Sequence, residues 1–412
     1  MSNGQTRFKW VSTAALSVVM WGSVMALCVS PAASAAEKKQ SVSEDVAKLL
    51  KPSQDAVQKG DYDLAIAKAK EGLAISKKPY DKETSLRLLG YAVGKKQDYA
   101  AYADVLEQLN TVETVGEDER KKSYKPLAQI YANLKVYDKA VVNAVKWAEG
   151  GGGSEAYGLL STLYLIQKDF KNGILSLEKA TEGREATEAE LKQENYCYYT
   201  LGDKPKRMAV MELLVAKYPK REYYTDLVGI YQEQNYNERV MLNIYRFGLE
   251  RDYLARESEF VDYADIAFNI GAPAESYRVV QTGVDKGIVK LISATDRNSK
   301  LLAQAKAGAA EDRRDIAKQD KEVQNRRNGD ADVKLGLAYL SLGDADKAVE
   351  ALQRGLAPER MKDVKRLDDA YMTLGISYLK LGKNEEAAKA FNSAQAIGPM
   401  SKAAALWLLQ TV

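Results

Sequence analysis

The side chains of this sequence that could do chemistry are few and poorly placed for it. Cys197 is the one thiol downstream of Cys28, and a thiolate nucleophile needs a neighbouring base or cation to hold it ionised. The chain has no histidine, so the commonest neutral-pH base and metal ligand is missing. Tyr196, Tyr198 and Tyr199 flank Cys197 and predict a packed helix position instead. Asp330 with Asp332, and Asp344 with Asp346, have the spacing of calcium ligands, but no EF-hand loop surrounds either pair. Both pairs fall where helices should begin, so capping and complementing the helix dipole are the expected roles. Gly150 to Gly153 is the one glycine cluster. It has neither a strand before it nor a lysine-serine or lysine-threonine pair after it, so a phosphate cradle lacks its parts. A flexible hairpin turn is expected there, with Ser154 capping the next helix by accepting a backbone N–H. The 57 acidic residues allow many carboxylate pairs, none set apart from helix-surface charge. The expectation is a non-enzyme with no catalytic, cofactor or metal residues.

The elements that would have to position any site are announced by periodicity. Tyr131, Tyr164, Tyr198 and Tyr231 stand 33, 34 and 33 residues apart in apolar helical surroundings, the length of one helix-turn-helix repeat. Near the C-terminal side a fuller pattern appears in Tyr371, Leu374-Gly375, Tyr378, Gly382, Ala387, Phe391, Ala394 and Pro399. The unit before it carries Leu335-Gly336, Tyr339, Gly343, Ala348 and Leu352, with Gly355 in the usual alanine slot. These offsets resemble the tetratricopeptide repeat family, and weaker units extend the likeness over 121–250 and, more degenerately, around Tyr62, Leu89-Gly90 and Tyr263. The resemblance implies an all-α fold, a right-handed superhelical solenoid of helix-turn-helix pairs. Small residues at Gly375, Ala387 and Ala394 would let helices approach while Tyr371, Tyr378 and Phe391 fill the space between. Two stretches break the rhythm. The charged tract 296–328 is expected to form a pair of solvated amphipathic helices joining two arrays, and 357–368 an inserted helix or loop.

In this family the first helix of each pair lines a concave surface. Carrying its binding slots onto the tyrosine register singles out Lys125, Gln129, Asn133, Thr162, Lys192, Tyr196, Tyr199, Thr225 and Gln232 as a partner-binding groove. They are polar or aromatic where a core would demand aliphatics, and tyrosine offers broad contact with a hydrogen-bonding tip. A chaperone-binding branch of the family grips a terminal carboxylate with basic and asparagine residues. Lys125 occupies a clamp-like slot, but Leu159 stands where the next asparagine belongs.

The beginning of the chain reads as an export signal. Arg7 and Lys9 precede an apolar stretch from Val11 to Val29, and Ala33-Ser34-Ala35-Ala36 supplies small residues for cleavage after Ala35 or Ala36. An uncleaved inner-membrane anchor is the alternative. Leu27 before Cys28 disfavours a lipid anchor. Cleavage would leave Cys197 as the only cysteine, with no intramolecular disulfide to form. Loss of Arg7 and Lys9 takes the 60 basic residues to 58 against 57 acidic ones, a balance that argues against nucleic acid as a partner. The layout expected is therefore a signal peptide (1–36), an N-terminal repeat array (37–295), a charged helical connector (296–328) and a C-terminal module (329–412). The expected role is a periplasmic scaffold binding another envelope protein or peptide segment, and the layout resembles exported repeat proteins that accompany TonB-type uptake systems, which implies an accessory role to such a system. Alternatives are outer-membrane or cell-wall and polysaccharide assembly, and an envelope hydrolase carrying a repeat array.

Overall fold

The computed structural model describes residues 41–234 and 236–411, and every regular element among them is a helix. The expected signal segment, 1–36, lies outside the described residues. The chain divides into two compact units between Glu190 and Leu191. The first contains α1 (Glu44–Lys59), α2 (Tyr62–Ile75), α3 (Pro79–Lys95), α4 (Tyr99–Leu109), α5 (Glu117–Asn133), α6 (Tyr137–Trp147), α7 (Gly153–Ile166) and α8 (Phe170–Thr181). Helix α9 (Glu188–Leu201) spans the division. The second unit continues with α10 (Lys204–Lys217), α11 (Arg221–Glu233), α12 (Glu238–Glu250), α13 (Glu257–Asn269), α14 (Pro273–Asp285) and α15 (Arg297–Arg326). It ends with α16 (Gly329–Leu342), α17 (Ala345–Gly355), α18 (Pro358–Met361), α19 (Leu367–Lys380), α20 (Asn384–Gln395) and α21 (Ser401–Leu408).

The hairpins share one turn. The carbonyl of the repeat tyrosine accepts the N–H five residues on: Tyr131 from Val136 at 2.9 Å, Tyr164 from Asp169 at 2.8 Å, Tyr339 from Asp344 at 2.9 Å. This closure requires a left-handed residue just past the first helix. Glycine meets the requirement at Gly202, Gly343 and Gly382, whereas Gln97, Lys135 and Lys168 hold φ of 58°, 60° and 64° without being glycine. An aspartate then caps the second helix: Asp61, Asp98, Asp169, Asp203 and Asp344 each accept the N–H three residues on. The capping expected of Asp344 is thus in place. A left-handed L-residue costs roughly 1–2 kcal/mol, partly offset by the greater freedom glycine has in the unfolded chain. Lys135→Gly and Lys168→Gly should therefore each raise the unfolding free energy by about 0.5–1 kcal/mol in urea titrations. A lowered midpoint would mean that the lysine side chains hold the turns more firmly than strain opposes them.

The excess of tyrosine over phenylalanine, 25 against 6, has a structural reason. A buried hydroxyl needs a partner, and here it finds one on another helix. Tyr231 donates to Glu212 at 2.6 Å and Tyr339 to Asp320 at 2.9 Å, while Tyr378 accepts from Gln353 at 2.7 Å. The tyrosine that fills the space between helices also fastens one repeat to the one before it. Close approach is equally concrete: a Cβ added to Gly375 would lie 2.4 Å from Phe391 Cε1, and one on Gly336 2.5 Å from Leu352 Cγ.

The second unit is not a simple stack in which each repeat touches only its neighbours. Every residue from Val240 to Gly248 is buried, so α12 is enclosed on all sides. Arg239 pairs with Asp369, Lys380 Nζ lies 2.6 Å from Glu250, and Trp407 Nε1 donates to the Asn243 carbonyl at 2.8 Å. Helices α19 and α21 thus close back on α12. At the centre, Arg246 and Glu275 form a two-bond fork at 2.7 Å each, with side chains 5% and 8% exposed. Tyr263 donates to the same carboxylate at 2.7 Å, and the Glu275 N–H donates to Ser341 Oγ at 3.0 Å.

Two local expectations are corrected and a third is extended. The tract 296–328 forms one continuous helix, α15, in place of a pair. It contains no proline, Asp296 caps it, and Leu301, Ala305, Ala309 and Ile316 bury a single stripe along it. Ser154 does not cap α7; its hydroxyl donates to the Ala180 carbonyl at 2.5 Å, because the glycine turn carries the chain into α7 one residue earlier. Asp332 stands in the first turn of α16 as expected, but its carboxylate also serves arginines of later helices. It is fully buried and accepts from Arg354 at 2.6 Å and Arg360 at 2.7 Å, tying α16 to α17 and α18. Two further local expectations stand: Gly150–Gly153 lies in the turn from α6 to α7, with Gly151 and Gly153 at positive φ, and α18 with its flanking loops takes up the insertion at 357–368.

Candidate functional site

The nine groove candidates lie on first helices and divide between the units, Lys125, Gln129, Asn133 and Thr162 in the first, the remaining five in the second. Helical spacing puts them in register. Six residues before the repeat tyrosine stand Lys125, Gly158, Lys192 and Thr225; two before it stand Gln129, Thr162, Tyr196 and Gly229. Within each unit the two sets therefore mark one stripe of these helices.

In the first unit this stripe is partly committed to itself. Lys125 is half-buried, its Nζ 2.7 Å from Glu155 and 5.2 Å from the centre of the Trp147 ring. Gln129 is half-buried, and Asn133 is exposed at the end of α5. Thr162 is exposed and returns its hydroxyl to the Gly158 carbonyl at 3.1 Å. In the second unit Gln232 donates to Tyr245 Oη at 2.9 Å, and Thr225 and Lys192 are half-buried. Tyr196 and Tyr199 differ from these: they are 42% and 63% exposed, while Tyr198 between them is buried. The Arg207 guanidinium lies 4.9 Å from the Tyr199 ring centre and holds that ring as a platform. Cys197 is buried, as its surroundings imply, and burial, followed by Glu194, pushes its thiol up to about 11.

Two glycines on the stripe have no internal explanation. A Cβ added at Gly158 or Gly229 would meet nothing within 4 Å, and neither residue is left-handed. A glycine inside a helix costs about 0.5–1 kcal/mol relative to alanine. Each position leaves the helix without a side chain on the candidate face.

Sequence reasoning missed a second feature. A cavity of about 430 Å³ opens beside α4, α5 and α6, lined by Glu107, Asn110, Tyr124, Lys139, Asn143 and Lys146 among others. Lys139 Nζ is 3.0 Å from Glu107 Oε2 and 3.2 Å from Tyr131 Oη, and Glu107, then the Tyr131 hydroxyl, holds its ammonium above the usual range. Lys146 lies 5.4 Å from the Tyr124 ring centre. The lining thus offers ammonium, carboxylate, amide and ring groups within one cavity. Most of them sit on second helices, outside the slots that the first-helix register selects.

No helix among the described residues is long and apolar enough to cross a membrane. Residues 330–354 and 368–397 each match a tetratricopeptide repeat family model. No curated protein matches the chain. Similar solved structures include a tetratricopeptide repeat protein from Parabacteroides merdae ATCC 43184, 12% identical, covering 90% of this chain and 99% of that one at a TM-score of 0.30. MamA 41-end from Desulfovibrio magneticus RS-1 is 15% identical, covering 47% of this chain and 99% of that one, with a TM-score of 0.29. Superpositions this loose carry no argument; the matched repeats and the tyrosine-closed hairpins do. Tetratricopeptide repeats bind other proteins and are generally not catalytic, and on that evidence this chain is a tetratricopeptide repeat protein, a helical scaffold for protein–protein interaction.

Proposed function

We propose that this chain is an exported, non-catalytic scaffold of the cell envelope that holds a segment of another envelope protein against the first-helix face of its second unit. The observation that carries the reading is the pair Tyr196 and Tyr199, exposed on α9 around a buried Tyr198. Two exposed aromatic rings at helical spacing offer broad contact area with hydrogen-bonding tips and are favoured anchors at protein interfaces. Gly229, in the Tyr196 slot of α11, leaves open backbone in the same register. Export is supported by Arg7 and Lys9, the apolar stretch after them and the small residues 33–36. Periplasmic residence follows if the signal is cleaved, and accessory service to a TonB-type uptake system is the narrower form of the reading.

A photo-crosslinking residue at position 199 in the native envelope should capture one protein reproducibly, and the same residue at exposed Leu175 on α8 should not. Capture from 175 with none from 199 would remove the first-helix face from consideration. Fractionation with sequencing of the mature N-terminus should find the protein in the periplasm beginning at Ala36 or Glu37. A mature protein that still begins at residue 1 or 2 would end the cleaved-export part of the proposal.

A further inference from the structure

Another surface of the second unit is already occupied, and by this chain itself. Besides following α20, the short helix α21 packs against α12 and α10. Met400, Ala403, Ala404, Leu406 and Trp407 are buried there. The Trp407 ring stacks on Phe391 at 5.8 Å and meets Phe247 edge-on at 5.9 Å, while its N–H bonds to the Asn243 carbonyl. Lys402 Nζ reaches Glu212 at 2.9 Å. Glu212 also accepts from Tyr231, so the carboxylate is held in place whether or not the lysine is present. The fit is incomplete, since Gln410 Nε2 is buried and has no hydrogen-bond partner among the described residues. A helix of eight residues is not stable by itself in water, so α21 is helical because this surface makes it so.

We propose that the α10–α12 face is a helix-accepting groove, which releases α21 and takes in its place an amphipathic helix of another protein. The groove states what the incoming helix must carry. A cation meets Glu212, and an indole five residues later fills the slot between Phe247 and Phe391 and donates to Asn243, as Lys402 and Trp407 do now. The resident helix, joined by the short link 396–400, competes at an effective concentration on the order of millimolar, so only a better-fitting helix displaces it. None of the nine first-helix candidates takes part, so this site goes beyond the proposed function and stands or falls separately from it.

The test uses the full chain and a fluorescein-labelled synthetic peptide of residues 398–411, followed by anisotropy. Wild type should bind the peptide weakly, because α21 is in place. Lys402→Glu, which breaks one partly exposed ion pair, and Trp407→Ala, which removes the anchor, should each bind it about ten-fold tighter or more, corresponding to ~1.4 kcal/mol of lost internal hold. Adding Phe247→Ala to either variant should abolish the gain. If Lys402→Glu keeps the wild-type helical spectrum and binds no tighter, α21 is a fixed cap and the proposal fails. Should Trp407→Ala not fold, the Lys402→Glu result decides. A doubling of mass by light scattering in either variant without peptide would also overturn the proposal, in favour of exchange between two copies of this chain.

Discussion

Glu275→Ala should lower the unfolding free energy by about 3–5 kcal/mol, among the largest single-residue effects in the second unit. The substitution deletes a carboxylate that accepts two bonds from Arg246 and one from Tyr263, and it leaves the guanidinium charged and buried, bonded to the neutral Asn243 side chain at 3.1 Å in place of a counter-ion. Breaking a buried pair costs more than the pair contributes, because the remaining charge cannot recover its hydration. Replacing both partners with apolar residues of similar volume, Arg246→Met with Glu275→Leu, should recover most of the loss. A second reading comes from pH. Burial pushes the Glu275 carboxyl up, but the facing Arg246 guanidinium and the Tyr263 hydroxyl more than offset it and hold it below the usual carboxylate range. A carboxyl depressed in the folded state stabilises fully above its unfolded pKa of about 4.3, and that stability is lost as pH falls through the folded value. Wild type should therefore lose stability on acidification below about pH 5 more steeply than the double apolar variant. Equal slopes, or a Glu275→Ala cost below about 1 kcal/mol, would mean that water reaches Arg246 in the folded protein.

Phe391→Ala should cost a comparable ~3–5 kcal/mol, for a different reason. The side chain is fully buried, lies against the bare backbone of Gly375 and stacks on Trp407. Its removal takes away transfer free energy and opens a cavity that the neighbouring helices cannot close, since α19 and α20 already meet at the closest distance glycine allows. Calorimetry or urea unfolding measures the loss. A cost under about 2 kcal/mol would show that α21 settles into the vacated space.

The two residues differ in how far they could be read beforehand. Phe391 was legible as a repeat slot, with Gly375 as its complement, because both belong to one hairpin and their contact depends on positions 16 apart. Glu275 was not. On the page it is an acid in the first turn of a helix after Pro273, the place where a solvated carboxylate would complement the dipole. Only the closure of α12, α13 and α16 on α14 turns it into a buried partner. Among the groove residues, the polar character of Lys125 and Gln232 was legible, but not that Lys125 faces Glu155 or that Gln232 bonds to Tyr245.

By itself the sequence determined that the chain is helical, that hairpins recur every 33 or 34 residues from Tyr131 to Tyr231, and that Asp344 stands where a helix is capped. Those features rest on hydrogen bonds and packing within one repeat, which a short window of residues contains. The tertiary structure alone decided that α12 is enclosed, that Trp407 reaches Asn243 across 164 residues, and that Asp332 is buried between arginines. Such contacts depend on the rotation from each hairpin to the next, summed over several repeats. No single repeat encodes that sum.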